Sequence, residues 1–320
     1  MGRPDTMTSH PSTADERAPF VHEALLYRDA AGYLGYALSF IYAGLSADEP
    51  VMVATPPANV TLLRERLGPF ADEVQFHDMT TAGRNPARII PWVLSTFMDQ
   101  HQGRPVRIIG EPIWAGRSKA EYPVCVQHEA MINIAFVGRD ARILCPYDAK
   151  ALPVEVITDA EQTHPVMVDH DGTYVSRHYD PHGVTRQYNR PLPEPPAGAT
   201  TTRFEIQQLG LVRSIAAAAA TSADLPPSRV EDARSAVNEV ATNSVVHAGG
   251  AGTLRTWVEA DRVVYEVRDF GRMVDPMVGR LRPEPGAERG HGLVLVHYLS
   301  DLVQTHTSLT GTATRLHFLR

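Results

Sequence analysis

Residues 238–247 read Asn-Glu-Val-Ala-Thr-Asn-Ser-Val-Val-His and end a longer stretch, Arg229–His247, whose apolar residues recur every three to four positions. That period predicts one long helix. Val230, Ala233, Val237, Val240 and Ser244 form its packing stripe, while Glu239 and Asn243, four apart, emerge beside it about one turn from each other. Ser228 followed by Glu231 reads as a capping box, with Pro226 and Pro227 upstream and Gly249-Gly250 closing the far end. An acid and an amide beside a core stripe suit a magnesium–nucleotide site, the amide oxygen as a hard ligand and the carboxylate as a base. Taken alone, the same pair reads more readily as a polar helix edge.

A second helix, Leu209–Thr221, precedes this one. After it come strands at Thr253–Glu259 and Val263–Arg268, a Pro- and Gly-rich segment from Gly271 to Gly290, a short helix Leu293–Leu299, and strands Val303–Thr307 and Thr312–Leu319. Helices followed by antiparallel strands predict an α+β sandwich with the helices on one face of a mixed sheet. Three further motifs fall at element ends. Asp269-Phe270-Gly271 follows a strand, Gly290-His291-Gly292-Leu293 opens the short helix, and Gly311-Thr312 enters the last strand. Each by itself is a turn or a helix start. Glycines before a helix also let backbone amides approach phosphate at the positive helix end.

In this order and placement the four motifs resemble those of the protein-kinase anti-sigma factors of the gyrase, heat-shock chaperone, histidine kinase and MutL superfamily, over residues 203–320. The resemblance implies a histidine-kinase-like ATPase (Bergerat) fold that binds ATP with Mg2+. It implies Glu239 as general base, Asn243 as magnesium ligand, Asp269 as the adenine acceptor supported by Thr312, and Gly271 beneath the base. Gly290, His291, Gly292 and Leu293 would form the phosphate-binding segment, and Arg272–Arg289 the ATP lid. It further implies phosphorylation of a Ser or Thr on a STAS-type anti-anti-sigma partner, capture of a sigma factor, and a homodimer, although no dimer seam is visible. The sequence departs from the family's DxGxG at Met273, where the second glycine belongs. That departure keeps a non-catalytic, ATP-gated binding switch as the alternative. His247 reads as a helix-end residue.

Between Phe20 and Ile157 the texture differs. Strand candidates Glu23–Tyr27, Val51–Thr55, Val74–His77, Val106–Ile109 and Arg142–Cys145 alternate with helical patterns at Tyr33–Leu45, Asn59–Leu67, Pro86–Gln100 and Glu121–Phe136. VMVAT and VRIIG are short continuous apolar runs, as strands buried on both faces require. The alternation predicts a doubly wound α/β sheet. No GxxxxGK[ST] loop and no activated nucleophile motif occurs, so this domain is expected to bind rather than catalyse. HEALLY, RIIGEPIW, HEAMINIAF and LCPYD resemble the MEDS sensory domain over residues 20–165. Open α/β sheets bind ligands at the carboxyl ends of their strands, so His22, Glu111, Trp114, Glu129, Asn133 and Tyr147 are candidate contacts for an unidentified small-molecule or protein signal.

The chain of 320 residues is therefore read as a disordered tail over 1–18, a sensory domain over 19–168, a Pro-rich linker over 169–200, and the ATPase domain over 201–320. His164, His170, His178 and His182 fall near the linker in breaker-rich sequence. No pair has helical ligand spacing beside a carboxylate, so solvated histidines are expected rather than a metal site, and the stretch cannot form the phosphoacceptor hairpin of a conventional histidine kinase. A net charge of −7 disfavours direct nucleic-acid binding. Cys125 and Cys145 show no metal or disulfide spacing, and no stretch reaches the length of a membrane span. A cytoplasmic protein without membrane contact is expected.

Overall fold

A computed structural model describes residues 20–283, 286 and 290–320. The expected tail over 1–18 lies outside the described residues, as do positions 284, 285 and 287–289 of the expected lid. The first domain runs β1 (Val21–Tyr27), α1 (Ala30–Ser46), β2 (Val51–Thr55), α2 (Pro57–Leu67), β3 (Val74–Asp78), α3 (Met79–Ala82), α4 (Ser95–Gln100), β4 (Val106–Gly110), α5 (Tyr122–Ala135), β5 (Ala141–Asp148), α6 (Val154–Thr163), β6 (Val166–Asp169), β7 (Gly172–Val175) and α7 (Pro181–Gln187). Its seven strands form one sheet in the order β3-β2-β4-β5-β1-β6-β7. Every pair is parallel except β6–β7. Side chains alternate across the sheet. Val51, Val53, Ile109 and Leu144 pack on the α1 side, and Met52, Ala54, Ile108, Ile143 and Cys145 on the α5 side. This is the doubly wound sheet that the alternating pattern predicts.

Two expectations are corrected here. The helix expected over Pro86–Gln100 is a 3-10 turn at Pro86–Arg88, a π turn at Ile89–Leu94 and then α4. Pro91 lies inside it and has no N–H to donate to the preceding turn, so the helix cannot run straight through. The segment expected to be a linker from Asp169 is ordered structure as far as Gln187. Asp169 to Gly172 is the turn of the β6–β7 hairpin, and Asp180 caps α7 by accepting the Gly183 N–H at 2.8 Å with Pro181 at the first helical position. The breakers mark the ends of short elements rather than their absence. The hydroxyls of Tyr122 and Tyr188 both donate to one oxygen of Asp159 on α6, which ties α7 to α5 and α6.

The remaining connection crosses the second sheet. Arg315 donates to the Pro193 carbonyl at 2.6 Å, and Glu194 lies 3.5 Å from both Arg255 and Arg268. The second domain contains β8 (Thr200–Glu205), α8 (Leu209–Ser222), α9 (Pro227–His247), β9 (Ala251–Val258), β10 (Arg262–Asp269), α10 (His291–Leu299), β11 (Leu302–Ser308) and β12 (Gly311–Leu319). Its sheet, in the order β11-β12-β10-β9-β8, is antiparallel throughout, whereas a mixed sheet was expected. The capping box also differs: α9 begins at Pro227, so Ser228 sits inside the first turn and no side chain caps the helix.

Ala216 and Ala220 of α8 meet Ala233, Ala236, Val237 and Ala241 of α9 in the second core. Small residues on both helices let them pack closely beneath Tyr265 and Phe318, whose rings meet edge to face at 5.9 Å. The Tyr265 hydroxyl is satisfied by the Ala216 carbonyl at 2.7 Å. Phe318 is 0% exposed, while Leu309 at the β11–β12 turn is 88% exposed. Phe318→Ala should cost about 3–5 kcal/mol of second-domain stability in urea denaturation, whereas Leu309→Ala should leave the midpoint unchanged.

Candidate nucleotide site and the buried polar cluster

The long helix α9 packs its apolar stripe on the sheet and turns Glu239 and Asn243 toward the amino end of α10. Gly292 lies against them: a Cβ built at Gly292 would sit 2.7 Å from a Glu239 carboxylate oxygen and 4.0 Å from the Asn243 amide nitrogen. Gly290, the residue preceding α10, has φ 95°. His291 and Leu293 are in its first turn, and the positive end of a helix favours an anion.

Opposite this edge, Asp269 ends β10. Its carboxylate accepts the Ser244 hydroxyl at 2.6 Å and the Gly271 N–H at 2.9 Å. Thr312 pairs with Asp269 across β10–β12 and donates to the Gly271 carbonyl at 2.8 Å. Its hydroxyl is 2.9 Å from that of Thr307, which accepts the Met273 N–H at 3.0 Å. With the Thr312 proton committed to Gly271, the Thr307 proton must go to Thr312, giving one hydrogen-bond chain from Met273 to Gly271. Gly311 has φ 136°, and a Cβ there would meet the Asp269 carbonyl at 2.1 Å, so only glycine fits.

These residues line a cavity of about 340 Å³ that includes Asn243, Asp269, Gly271, Met273, Gly290, Gly292, Leu293 and Thr312, with exposed His247 at its rim. All four motifs thus converge, and Glu239 stands at the cavity edge through Gly292. A larger depression of about 930 Å³ runs under residues 191–194 and contains none of Glu239, Asn243, Gly290 or Gly292. Ser244, read from the sequence as packing, is buried and also holds Asp269. Its hydroxyl among the apolar stripe residues was the available signal.

The candidate contacts of the first domain separate into different places. Glu111 follows β4 at the carboxyl end of the sheet and accepts the Asn59 amide at 2.8 Å. Burial, together with the Asp148 charge, pushes its carboxyl up to about 8 despite that hydrogen bond. Trp114 lies 3.9 Å under the Arg117 guanidinium, whose hydrogen bonds to the Pro112, Gly83 and Arg84 carbonyls brace the loop. His22, Glu129, Asn133 and Tyr147 are all buried on the α5 face; Tyr147 is at the carboxyl end of β5 with its ring 5.6 Å from that of His164, whereas the other three lie farther from that sheet end. His22 lies at the amino end of β1, and its Nδ1 faces the Asn133 Oδ1 at 3.1 Å. Burial and the neighbouring His164 hold His22 down at about 4.

His164 corrects an expectation. It is 0% exposed and joins this cluster, because α6 ends at Thr163 and the chain turns inward there. His170, His178 and His182 are exposed. Cys145 on β5 completes the cluster, a residue that sequence spacing could not connect to the others.

Comparison with known families agrees with this division. Residues 21–165 match the MEDS model (methanogen/methylotroph, DcmR sensory domain), and residues 202–318 match the histidine kinase-like ATPase domain. In fold the chain is a MEDS domain followed by a histidine kinase-like ATPase domain. No curated protein matches. Among solved structures it is similar to the RsbU and RsbW domains of Rv1364c from Mycobacterium tuberculosis, at 17% identity, TM-score 0.29, and coverage of 39% of this chain and 33% of that one. It is also similar to the Acinetobacter baumannii histidine kinase AdeS, at 10% identity, TM-score 0.26, and coverage of 38% and 67% respectively. Among the described residues no helix is long and apolar enough to cross a membrane.

The raised Glu111 pKa gives a pH prediction. The folded state holds this proton more tightly than the unfolded chain, so its contribution to stability is complete below about 4.5 and is lost as pH rises through about 8. Glu111→Gln should flatten that part of the stability–pH curve, as read by urea denaturation of the first domain across this range.

Proposed function

We propose that the chain is an ATP-dependent regulatory kinase, in which the second domain phosphorylates a Ser or Thr of a STAS-type anti-anti-sigma protein and captures a sigma factor. The observation that carries the reading is the convergence of Glu239 and Asn243 on the glycine-opened amino end of α10, with Asp269 across the same cavity. The match to the histidine kinase-like ATPase domain implies ATP, and the donor set suits it. Gly292 leaves the space that a side chain would fill between α10 and the acid–amide pair. Asn243 is the residue to hold magnesium, which would shield the phosphate charge when bound.

Asp269 is already oriented by Ser244 and Gly271, and its remaining lone pairs suit an adenine amine. Guanine would present a carbonyl there, setting acceptor against acceptor. Glu239 takes the proton from the partner hydroxyl as that oxygen bonds to the γ-phosphorus and ADP leaves. An imidazole acceptor would need no such base. His247, at the far end of α9, is two turns from Glu239 and cannot approach it.

Control by the first domain is part of the proposal, and contacts from that domain and from the chain leaving it support it. Asn189 forms a two-way hydrogen bond with the Thr307 backbone, donating at 2.8 Å and accepting at 3.0 Å. Thr307 is the residue whose hydroxyl holds Met273 and Thr312 at the adenine side. A cavity of about 450 Å³ has Gln127, Met131 and Thr185 of the first domain on one wall and Met273, Val278 and Leu293 on the other. Met273 supports a second reading, in which ATP only shapes a partner-binding surface, because it occupies the family's second lid glycine.

The chain should bind Mg-ATP more tightly than Mg-GTP by about 1–3 kcal/mol in calorimetry, and equal affinities would remove Asp269 from its role. Asn243→Ala should lose magnesium-dependent affinity. Glu239→Ala should still bind ATP while transfer of labelled phosphate to a STAS-type partner falls by about 10²–10⁴. Acid-stable label on the partner supports the kinase. Acid-labile label on this chain alone overturns it, and ATP-dependent partner binding with no transfer selects the second reading.

A further inference from the structure

His22, Glu129, Cys145 and His164 come from β1, α5, β5 and the end of α6, and all four are at most 1% exposed. Their donor atoms lie within 4.8 Å of one another. The separations are 3.2 Å from His22 Nε2 to Glu129 Oε2, 3.4 Å from His164 Nε2 to the same oxygen, 3.4 Å from His22 Nε2 to Cys145 Sγ, and 3.5 Å from Cys145 Sγ to Glu129 Oε2. A tetrahedral zinc ion with ordinary bond lengths separates nitrogen and oxygen ligands by about 3.3 Å and sulfur from either by about 3.6 Å. Four of the six edges of such a tetrahedron are already close to these lengths, and the other two are within 4.8 Å.

Hydrogen-bond accounting points the same way. Asn133 Nδ2 is committed as a donor to the Glu129, Ala130 and Thr163 carbonyls, so its Oδ1 faces His22 Nδ1 and that nitrogen must carry the proton. His164 Nδ1 lies 2.9 Å from the Ala160 carbonyl, which can only accept, so it too is the protonated nitrogen. Both Nε2 lone pairs therefore point at one oxygen of the Glu129 carboxylate, acceptor against acceptor, with only the Cys145 thiol proton to share. Protonating both rings instead would place two cations in rings whose centroids are 4.0 Å apart. A cation at the centre resolves the conflict. The Nδ1–H bonds to an amide oxygen and a backbone carbonyl are also the outer contacts that orient metal-binding histidines.

We propose that His22, Glu129, Cys145 and His164 bind one divalent transition metal of the zinc class in a closed tetrahedral site. On binding, the Cys145 S–H bond breaks, its proton passes to solvent and the sulfur bonds the metal. One thiolate and one carboxylate then balance the 2+ charge. Imidazole and thiolate donors select against magnesium and calcium. Four protein ligands leave no open position, so the site is structural or sensory rather than catalytic. The proposal is independent of the nucleotide reading.

The test uses the full chain, prepared without a histidine tag, stripped with chelator and titrated with Co2+ and Zn2+. The expected result is about one metal per chain, with a thiolate-to-cobalt charge-transfer band and the visible bands of tetrahedral cobalt. Cys145→Ser should abolish the charge-transfer band and His164→Gln should remove most of the bound metal. His170→Ala, which alters the Asp169-His170-Asp171 group at the surface turn, should change neither. Should the buried variants fail to fold, zinc-edge X-ray absorption of the wild-type chain gives the answer directly, as one sulfur among four ligands. Substoichiometric binding by the wild-type chain, or a metal environment without sulfur, overturns the proposal.

Discussion

The carboxylate of Asp269 is the point on which the second domain's site depends. One oxygen is held by a hydroxyl from α9 and the other by the amide that begins the segment after β10. A helix, a strand end and the start of the segment after β10 are thereby fixed to a single group. Remove it and the polar tie between α9 and the end of β10 is lost beside the edge where Glu239 and Asn243 face α10. The hydrogen-bond chain through Thr312 and Thr307 extends the constraint to β12, β11 and Met273. Met273 is not among the residues with positive φ, so the backbone here does not itself require the glycine that the family pattern calls for.

What the sequence made legible was what local chemistry repeats. The period of α9 placed Glu239 beside Asn243, and turn glycines placed Gly290, Gly292 and Gly311 at element ends where the structure has them. The apolar runs of β2 and β4 announced strands covered on both faces. What escaped was either made by breakers or assembled across distance. Pro181 and Asp180 start a helix, although as letters they resemble a linker. Pro91 divides a helix whose apolar period runs on unbroken. His164 and His22 are 142 positions apart and meet only because β1 lies beside β5 and β6 in the sheet order. No spacing rule in one dimension could bring them together.

The two domains are in contact at several points besides the connecting chain. Asn85, 0% exposed, donates to the His297 carbonyl at 2.9 Å; the Trp92 and Tyr298 rings lie 4.7 Å apart; and Gln304 reaches the Ala120 carbonyl at 3.1 Å. These contacts gather on α10 and β11, and α10 also lines the cavity that contains Asn243 and Asp269. The face of the first domain that they use includes the irregular stretch around Pro86–Leu94. A straight helix there would present a different surface to α10.

Met277 belongs by sequence to the segment after Gly271, yet it is 8% exposed within the core of the first domain. Extracting a methionine from such a position costs about 1.5–3 kcal/mol. Movement of that segment is therefore measured against the packing of another domain. Whatever loosens the first core lowers the work of withdrawing Met277, and whatever holds the segment near α10 tightens that core by the same free energy. The coupling is reciprocal by thermodynamic necessity. One thioether side chain thus ties the position of that segment to the packing of the other domain.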